Sequence, residues 1–186
     1  MSARWIAVLV LAFSLAACSE SGDPPLVAEE ILQLNPKANQ VVFGLDHFMA
    51  EEGIRRAQVK ADTAFFLEDE SLVELRIMDV IFFDSSGDTT SILTAKEGTY
   101  DWETGNMTAK IDVVVVNPRE NRRVETSVLH YSSALDRIWG DEPTTIIEAD
   151  GTVVEGTAFE TNSRMDRVDL TSARIVRPAS QSQREP

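Results

Sequence analysis

The sequence predicts an all-β protein whose antiparallel sheet packs on itself as a sandwich, a roll or a barrel. From about Val41 onward, short apolar runs rich in β-branched residues alternate with turn signals. Within the runs, apolar and polar residues alternate, so each strand has one dry face and one wet face. Four stretches of similar pattern follow one another, and each has a strand that ends in an aromatic residue. These aromatic residues recur about every 30 residues, at Phe66, Tyr100, Tyr131 and Phe159.

The N-terminal segment, residues 1–17, has the pattern of a secretory signal peptide. Arg4 supplies positive charge, and the apolar run that follows is too short to span a membrane. The letters "LAAC" then resemble the lipobox of bacterial lipoproteins, in which the cysteine thiol is alkylated with diacylglycerol. We therefore expect Cys18 to be lipidated and to become the first residue of the mature protein. An ordinary signal peptide or an uncleaved anchor is the alternative.

Three further segments follow from composition. Residues 18–40 are polar and rich in turn formers, which predicts a tether between the anchor and a domain. Residues 41–177 carry the strand pattern and form one domain, and residues 178–186 are expected to be a disordered tail. Because Cys18 is the single cysteine, the domain cannot contain an internal disulfide.

Charge and motifs exclude several classes of function. The formal net charge is −14, so the chain lacks the basic face that a nucleic-acid-binding protein needs. His47 and His130 lie far apart, and no H-x-x-x-H or C-x-x-C pair predicts a metal site. The sequence has no G-x-S-x-G elbow and no glycine-rich phosphate loop. We therefore expect neither an enzyme nor a cofactor.

Turn signals define where the strands end. The segment "EEGI" at 51–54 is interpreted as a turn between two early strands, because its glycine disfavours a helix. The other turn signals are "DSSGD" at 84–88, "ETGN" at 103–106, "NPREN" at 117–121, "ADG" at 149–151 and "TNS" at 161–163.

Strict alternation assigns an inward face to each strand. In "LVELRI", for example, Glu74 and Arg76 oppose the apolar residues. The small residues on this face leave two interpretations open: a filled core, or a trough between sheets that admits an acyl chain. The residues predicted to face inward are Val59, Ala61, Phe65, Val73, Leu75, Ile77, Leu93, Ala95, Met107, Ala109, Ile111, Val113, Val115 and Phe159.

The order of five motifs resembles that of a known family. They are "A-x-x-A-x-F" at 61–66, "A-x-x-G-x-Y" at 95–100, "T-S-V-L-H-Y" at 126–131, "D-E-P-T-T-I" at 141–146 and "G-T-A-F-E-T-N" at 156–162. Together they resemble the LptC family of lipopolysaccharide export and its LptA/OstA relatives, from about Val42 to Leu170. A lipobox at Cys18 stands where better-known members have a membrane-spanning helix.

The resemblance implies a curved antiparallel β-jellyroll that is open along a groove and binds lipid A acyl chains between its sheets. It implies that the inward residues bind lipid and that Gly156 and Thr157 shape a strand where partners dock. The implied partners are lipopolysaccharide, the inner-membrane ABC transporter LptBFG and an LptA-like jellyroll protein. The resemblance favours the periplasmic face of the inner membrane, whereas Ser19 after the cysteine favours the outer membrane. A scaffold lipoprotein with a filled core, or a carrier of another lipid, is the alternative.

Overall fold

The computed structural model describes residues 35–176, which form one continuous antiparallel sheet of twelve strands. The predicted signal peptide, Cys18, most of the tether and the predicted tail lie outside the described residues. Within them the only helix is a single 3-10 turn, Glu68–Glu70, so the predicted all-β fold class is confirmed. The strands are β1 (Gln40–Glu51), β2 (Ile54–Leu67), β3 (Leu72–Phe83), β4 (Thr89–Asp101), β5 (Met107–Asn117), β6 (Arg122–Ser132), β7 (Arg137–Gly140), β8 (Thr144–Ile147), β9 (Val153–Gly156), β10 (Ala158–Thr161), β11 (Asp169–Thr171) and β12 (Arg174–Val176).

The strands follow one another as a meander, and the predicted turns lie between them. Glu52 and Gly53 form the turn predicted at "EEGI", both with positive φ, which suits a tight hairpin. From β7 onward the strands are short and come in pairs. β7 and β8 pair with the two ends of β6, β10 and β9 continue from them, and β11 and β12 complete the sheet. The sheet therefore consists of nine long strands, the last three of which are interrupted.

The interruptions belong to a line that crosses the whole sheet, which we call the crease. The strand register places one irregular position of each long strand level with that of its neighbour. Thus Phe43 pairs with Thr63 and Leu45 with Ala61, which leaves Gly44 opposite Asp62. The crease comprises Gly44, Asp62, Ile77, Lys96, Ile111–Asp112, Ser127, Asp141–Pro143, Thr157 and Ser172–Ala173.

Left-handed backbone at the crease ends the alternation of side chains. Gly44, Ile77, Ile111, Asp112 and Ser172 have φ values between 51° and 65°. A residue in this region turns the chain, so the strand bends and the next side chain points to the other face.

Strand β3 shows the effect of the crease on side-chain direction. Val73 and Leu75 are buried before the crease, and Met78 and Val80 are buried after it. Strict alternation from Leu75 would bury Ile77 and Asp79 instead. The positions of β3 that face the interior are therefore odd-numbered before Ile77 and even-numbered after it.

The crease folds the sheet into two layers that face each other. Phe82 and Tyr131 lie three strands apart, which would separate them by about 14 Å in a flat sheet. Their ring centroids are nevertheless 5.0 Å apart, and those of His47 and Tyr100 are 5.7 Å apart. Each long strand thus contributes one half to each layer. The hairpin turns of the two layers meet opposite the crease, at a rim that we call the mouth.

Small residues line the inner corner of the crease, where the layers converge. Ala61, Ala64, Ala95, Gly98 and Ala109 flank it on β2, β4 and β5, and the four alanines are buried. A Cβ on Gly98 would overlap the Sδ atom of Met78 and lie 2.9 Å from the carbonyl oxygen of Thr108. Close approach of the two layers therefore accounts for the small residues.

Three residues predicted to face inward lie on the outer face, so the prediction is wrong for them. Ile77 and Ile111 sit on the crease itself and are 63% and 45% exposed. Phe65 is buried, but it pairs with Glu74 on the outer face, and the Arg76 guanidinium lies 5.8 Å from its ring. The cause is the same in each case, because strict alternation was extended across the crease.

Replacing Ile77 by asparagine is expected to stabilise the protein. A β-branched residue is unfavourable with left-handed φ, and asparagine adopts that region more readily, so Ile77→Asn should raise the free energy of unfolding by about 0.5–1 kcal/mol. Ile81→Asn is the matched control, because Ile81 lies on the same strand with ordinary backbone and is half-buried. It should lower the free energy of unfolding. Urea titration measures both, and equal losses would contradict strain at the crease.

Candidate functional site

The interior between the two layers is a continuous apolar cluster. It contains 23 buried side chains, none of them charged, and eleven of the fourteen residues predicted to face inward belong to it. The inward position of these eleven is confirmed, whereas their contact with lipid stays a prediction. They are Val59, Ala61, Val73, Leu75, Leu93, Ala95, Met107, Ala109, Val113, Val115 and Phe159.

The cluster also contains twelve residues that strict alternation did not assign. Most of these lie on strand segments beyond the crease or on strands whose face was not assigned. They are Ala57, Ala64, Met78, Val80, Phe82, Tyr100, Val124, Leu129, Tyr131, Ile138, Ile146 and Met165.

The small–x–x–small–x–aromatic motif marks where a strand crosses the crease. Ala61 and Ala64 are three residues apart, which would place them on opposite faces of a regular strand. Both are buried in the interior, at 6% and 0% exposure, because the set of alternate residues that faces the interior changes between them. Phe66 then packs against the cluster from the same face. Two apolar residues at a spacing of three inside a strand were thus the sequence signal for the crease.

Protein side chains fill this interior. Leu75, Met78, Val80, Leu129 and Ile138 are each at most 1% exposed. Since protein interiors are close-packed, a guest molecule would have to separate the layers and displace some of these contacts. The small residues, which left a trough open from sequence alone, instead lie where the layers are closest.

The mouth contains a cavity of about 370 Å³ between the rims of the two layers. Glu51 and Arg56 line it from one layer and form an ion pair of 3.3 Å. Tyr131 lines it from the other layer, and its ring packs edge-on against Phe82 of the interior. The cavity therefore leads from a charged rim directly to the apolar cluster.

Both tyrosines of the chain have raised pKa values. Burial raises the pKa of Tyr131, and the carboxylates of Asp136 and Glu51 raise it further because they disfavour a phenolate. Burial, together with Asp101, raises the pKa of Tyr100. Both phenols therefore stay neutral well above physiological pH.

Gly156 and Thr157, predicted as a partner-binding pair, lie where the crease separates β9 from β10. A Cβ on Gly156 would overlap the Leu170 side chain and come within 2.7 Å of the Thr171 carbonyl oxygen. The Thr157 backbone N–H donates to the same carbonyl oxygen at 3.0 Å. Close packing against the neighbouring strand therefore accounts for the glycine, and docking of a partner stays a prediction.

The described residues show neither a metal centre nor a membrane helix. Between residues 35 and 176, no three side chains of histidine, cysteine, aspartate or glutamate are grouped so that they could hold a metal ion. In the same range no helix has the length and apolar character that crossing a bilayer requires.

The two tyrosines provide a direct test of the packed interior. Because their pKa values are raised, the stability they contribute is complete below the unfolded value and is lost as pH rises through the folded values. We expect tyrosinate absorbance to rise only above pH 10.0, the ordinary value, and the free energy of unfolding to fall over that range. Tyr131→Phe and Tyr100→Phe separate the two contributions. Ionisation of both tyrosines at pH 10.0 in the folded protein would contradict their burial.

Comparisons with known proteins identify the family. The chain is similar in structure to LptH, described as the LptA homologous periplasmic component of the conserved lipopolysaccharide transport device from Pseudomonas aeruginosa. The two share 15% sequence identity over 70% of this chain and 88% of that chain, with a TM-score of 0.48. Comparison with curated proteins finds no match. The sequence profile described as "LptC: Lipopolysaccharide-assembly, LptC-related" matches residues 6–176, so the chain belongs to this family.

Proposed function

We propose that this protein is a lipid carrier that holds the acyl chains of lipid A between its two layers. Its family takes part in lipopolysaccharide transport through a periplasmic bridge. In our proposal the protein receives lipopolysaccharide from the inner-membrane ABC transporter LptBFG and passes it to an LptA-like jellyroll. The observation that carries the proposal is an apolar interior bounded by a mouth. Among residues 35–176 no strand pairing joins the layers there, so they can separate without losing a sheet hydrogen bond.

Binding of an acyl chain exchanges contacts between protein side chains for contacts between those side chains and the acyl chain. An acyl chain leaving water gains about 25 cal/mol for each Å² of its surface that is buried. Opposing this gain is the loss of contacts between side chains of opposite layers, such as the edge-on contact of Phe82 with Tyr131. Such an exchange gives reversible binding, which suits a carrier that must release its cargo. In this proposal the ABC transporter that supplies the lipid would set the direction of transfer.

The distribution of charge supports the same orientation of the cargo. The interior cluster contains no charged residue, and the whole chain has a net charge of −14. Sugars and phosphates of lipopolysaccharide would therefore stay outside, at the rim, because burial of a charge without a partner is costly. The rim offers the Arg56 and Arg164 guanidinium groups beside the carboxylates of Glu51 and Asp136.

The two edges of the sheet suggest where neighbouring proteins bind. Strand β1 has twelve residues and, in the described part of the chain, pairs only with β2. An unpaired edge of this length can add a strand from another jellyroll. The opposite edge ends in β11 and β12, of three residues each, next to Thr157. We propose that partners dock at these edges, Gly156 and Thr157 contributing at the second.

A scaffold with a permanently filled core is the second candidate, and the close packing of the interior favours it. Native mass spectrometry of the protein purified from its host in mild detergent distinguishes the two. Lipid that stays bound as a defined mass increment supports a carrier. A scaffold would show the protein mass alone, and phospholipid instead of lipopolysaccharide would identify a carrier of a different cargo.

Photo-crosslinking tests the direction of lipid contact. A benzoyl-phenylalanine replacing Tyr131 or Phe159, which are inward aromatic residues near the mouth and on β10, should form adducts with lipopolysaccharide in cells. The same probe at Ile77 or Ile111 should not, because these apolar residues lie on the outer face. The controls have matched apolar character, so hydrophobicity alone predicts equal yields. Equal yields on both faces would contradict the binding site.

A substitution at Cys18 tests the proposed anchor. Loss of two or more acyl chains removes stable membrane attachment, because one chain alone binds only marginally. We therefore expect Cys18→Ser to lose metabolic palmitate labelling and, with an ordinary cleavable signal peptide in place of residues 1–17, to move from the membrane fraction to the soluble periplasmic fraction. Ser19→Ala is the control and should leave both unchanged. Retention of the Cys18→Ser variant in membranes would show that another element provides the anchor.

A further inference from the structure

The loop between β10 and β11, residues 162–168, leaves the layer of these two strands, reaches across the mouth to the opposite layer and returns, and we call it the strap. Three successive carbonyl oxygens of the strap accept hydrogen bonds from the opposite layer. The hydroxyl of Ser91 donates to Ser163 at 2.7 Å, and the amide of Asn117 donates to Arg164 at 3.0 Å. The guanidinium of Arg122 donates to Met165 at 3.0 Å.

Two of the three donors, Asn117 and Arg122, are held in place by their own layer. The carbonyl oxygen of the Asn117 side chain accepts from the backbone N–H groups of Arg119 and Glu120. Arg122 is paired with Glu148 at 3.0 Å and with Glu120 at 2.7 Å. Because these partners do not belong to the strap, Asn117 and Arg122 keep their orientation when the strap leaves. The layer therefore presents a preformed docking surface to which the strap can return.

The strap itself is held to that layer by side chains and not by a sheet ladder. A backbone bond within the strap runs from the N–H of Met165 to the carbonyl oxygen of Asn162. Its ion pairs are also local, Arg164 with Asp166 at 2.8 Å and Arg167 with Asp169 at 2.9 Å. Moving the strap therefore leaves the pairing of the strands intact.

Met165 fills the interior at the mouth. Its side chain is fully buried in the apolar cluster although it belongs to an exposed loop, and its φ of 55° is in the left-handed region. An unbranched thioether is a flexible apolar chain, so its volume can be replaced by part of an acyl chain. Ser163 and Arg164, the residues before it, line the mouth cavity. The cavity therefore lies beside the position of Met165.

We infer that the strap is a releasable closure of the mouth, which lifts Met165 out of the interior when an acyl chain enters. This inference rests on the proposed function and adds to it the route by which the interior opens. The strap exchanges one apolar chain for another, so the interior stays filled in both states. Its three carbonyl oxygens become solvated when it leaves, and they recover their donors when it returns.

Hydrogen exchange on the full-length protein in detergent tests this inference directly. With purified lipopolysaccharide bound, we expect the amides of Ser163–Val168 to exchange faster by about five-fold or more, because a strap without the bonds at its carbonyl oxygens is no longer held in one conformation. Amides of β3 and β4 near the crease, far from Phe83 and Ser91 at the mouth, should stay protected and serve as the internal reference. Unchanged protection of the strap while lipopolysaccharide is bound would overturn the inference.

Rates of uptake provide the second measurement. The double variant Thr90→Val and Ser91→Ala removes both hydroxyls that donate to the Ser163 carbonyl oxygen. It should take up fluorescent lipopolysaccharide about five-fold faster than the wild type. Thr126→Val is the control, because it removes hydroxyl bonds near the crease and should leave the rate unchanged. If the double variant does not fold, hydrogen exchange of the strap in the wild-type protein is the measurement that tests the inference.

The outcomes separate this inference from the proposed function. If lipopolysaccharide binds while hydrogen exchange of the strap and the uptake rate of the double variant stay unchanged, the inference about the strap is wrong. The proposed carrier function is then unaffected. Absence of lipopolysaccharide binding, with no adduct from the interior probes, overturns both. Faster exchange of the strap together with faster uptake by the double variant supports both.

Discussion

The structure depends on one constraint, that every long strand stops alternating at the same level. Without the crease, a strand of twelve or more residues would present a single inward face and the sheet would stay open. With it, each strand gives half its length to each layer, and an apolar cluster of 23 side chains closes between them. The cost is left-handed backbone at non-glycine residues, including the β-branched Ile77 and Ile111. Burial of the cluster offsets this cost, since each layer has an apolar face that would otherwise lie in water.

The fold class and the turns could be predicted from sequence because both depend on local signals. Glycine, asparagine and aspartate at turns, and alternation within strands, require no knowledge of distant residues. The prediction failed where the alternation itself was interrupted. Ile77 was assigned to the interior because it follows Leu75 by two residues, and Phe65 because it follows Ala61 by four. The spacing of three between Ala61 and Ala64 indicated the crease correctly. In a single strand, however, such a spacing is too common to be recognised as a signal.

The mouth could not be predicted, because its contacts join residues that are far apart in the chain. Ser91 and Ser163 are 72 residues apart, and Asn117 and Arg164 are 47 apart. Serine and asparagine in turns have many local roles, so nothing in either segment indicates the other. Whether the interior is a filled core or a trough could not be predicted either, because small residues suit a trough as well as a tight corner. Only the register of the strands shows that the alanines lie beside the crease.

The meander order has a consequence for how the chain folds. Because each long strand pairs with its neighbours in sequence, hairpins can form one after another as the polypeptide emerges, without waiting for a distant segment. The strap can cover the mouth only once β10 and β11 are complete, so the last part of the chain determines when the apolar surface is covered there. Until then the growing edge is exposed to other chains. Truncations near the C-terminus should therefore be more prone to aggregation than their small size suggests.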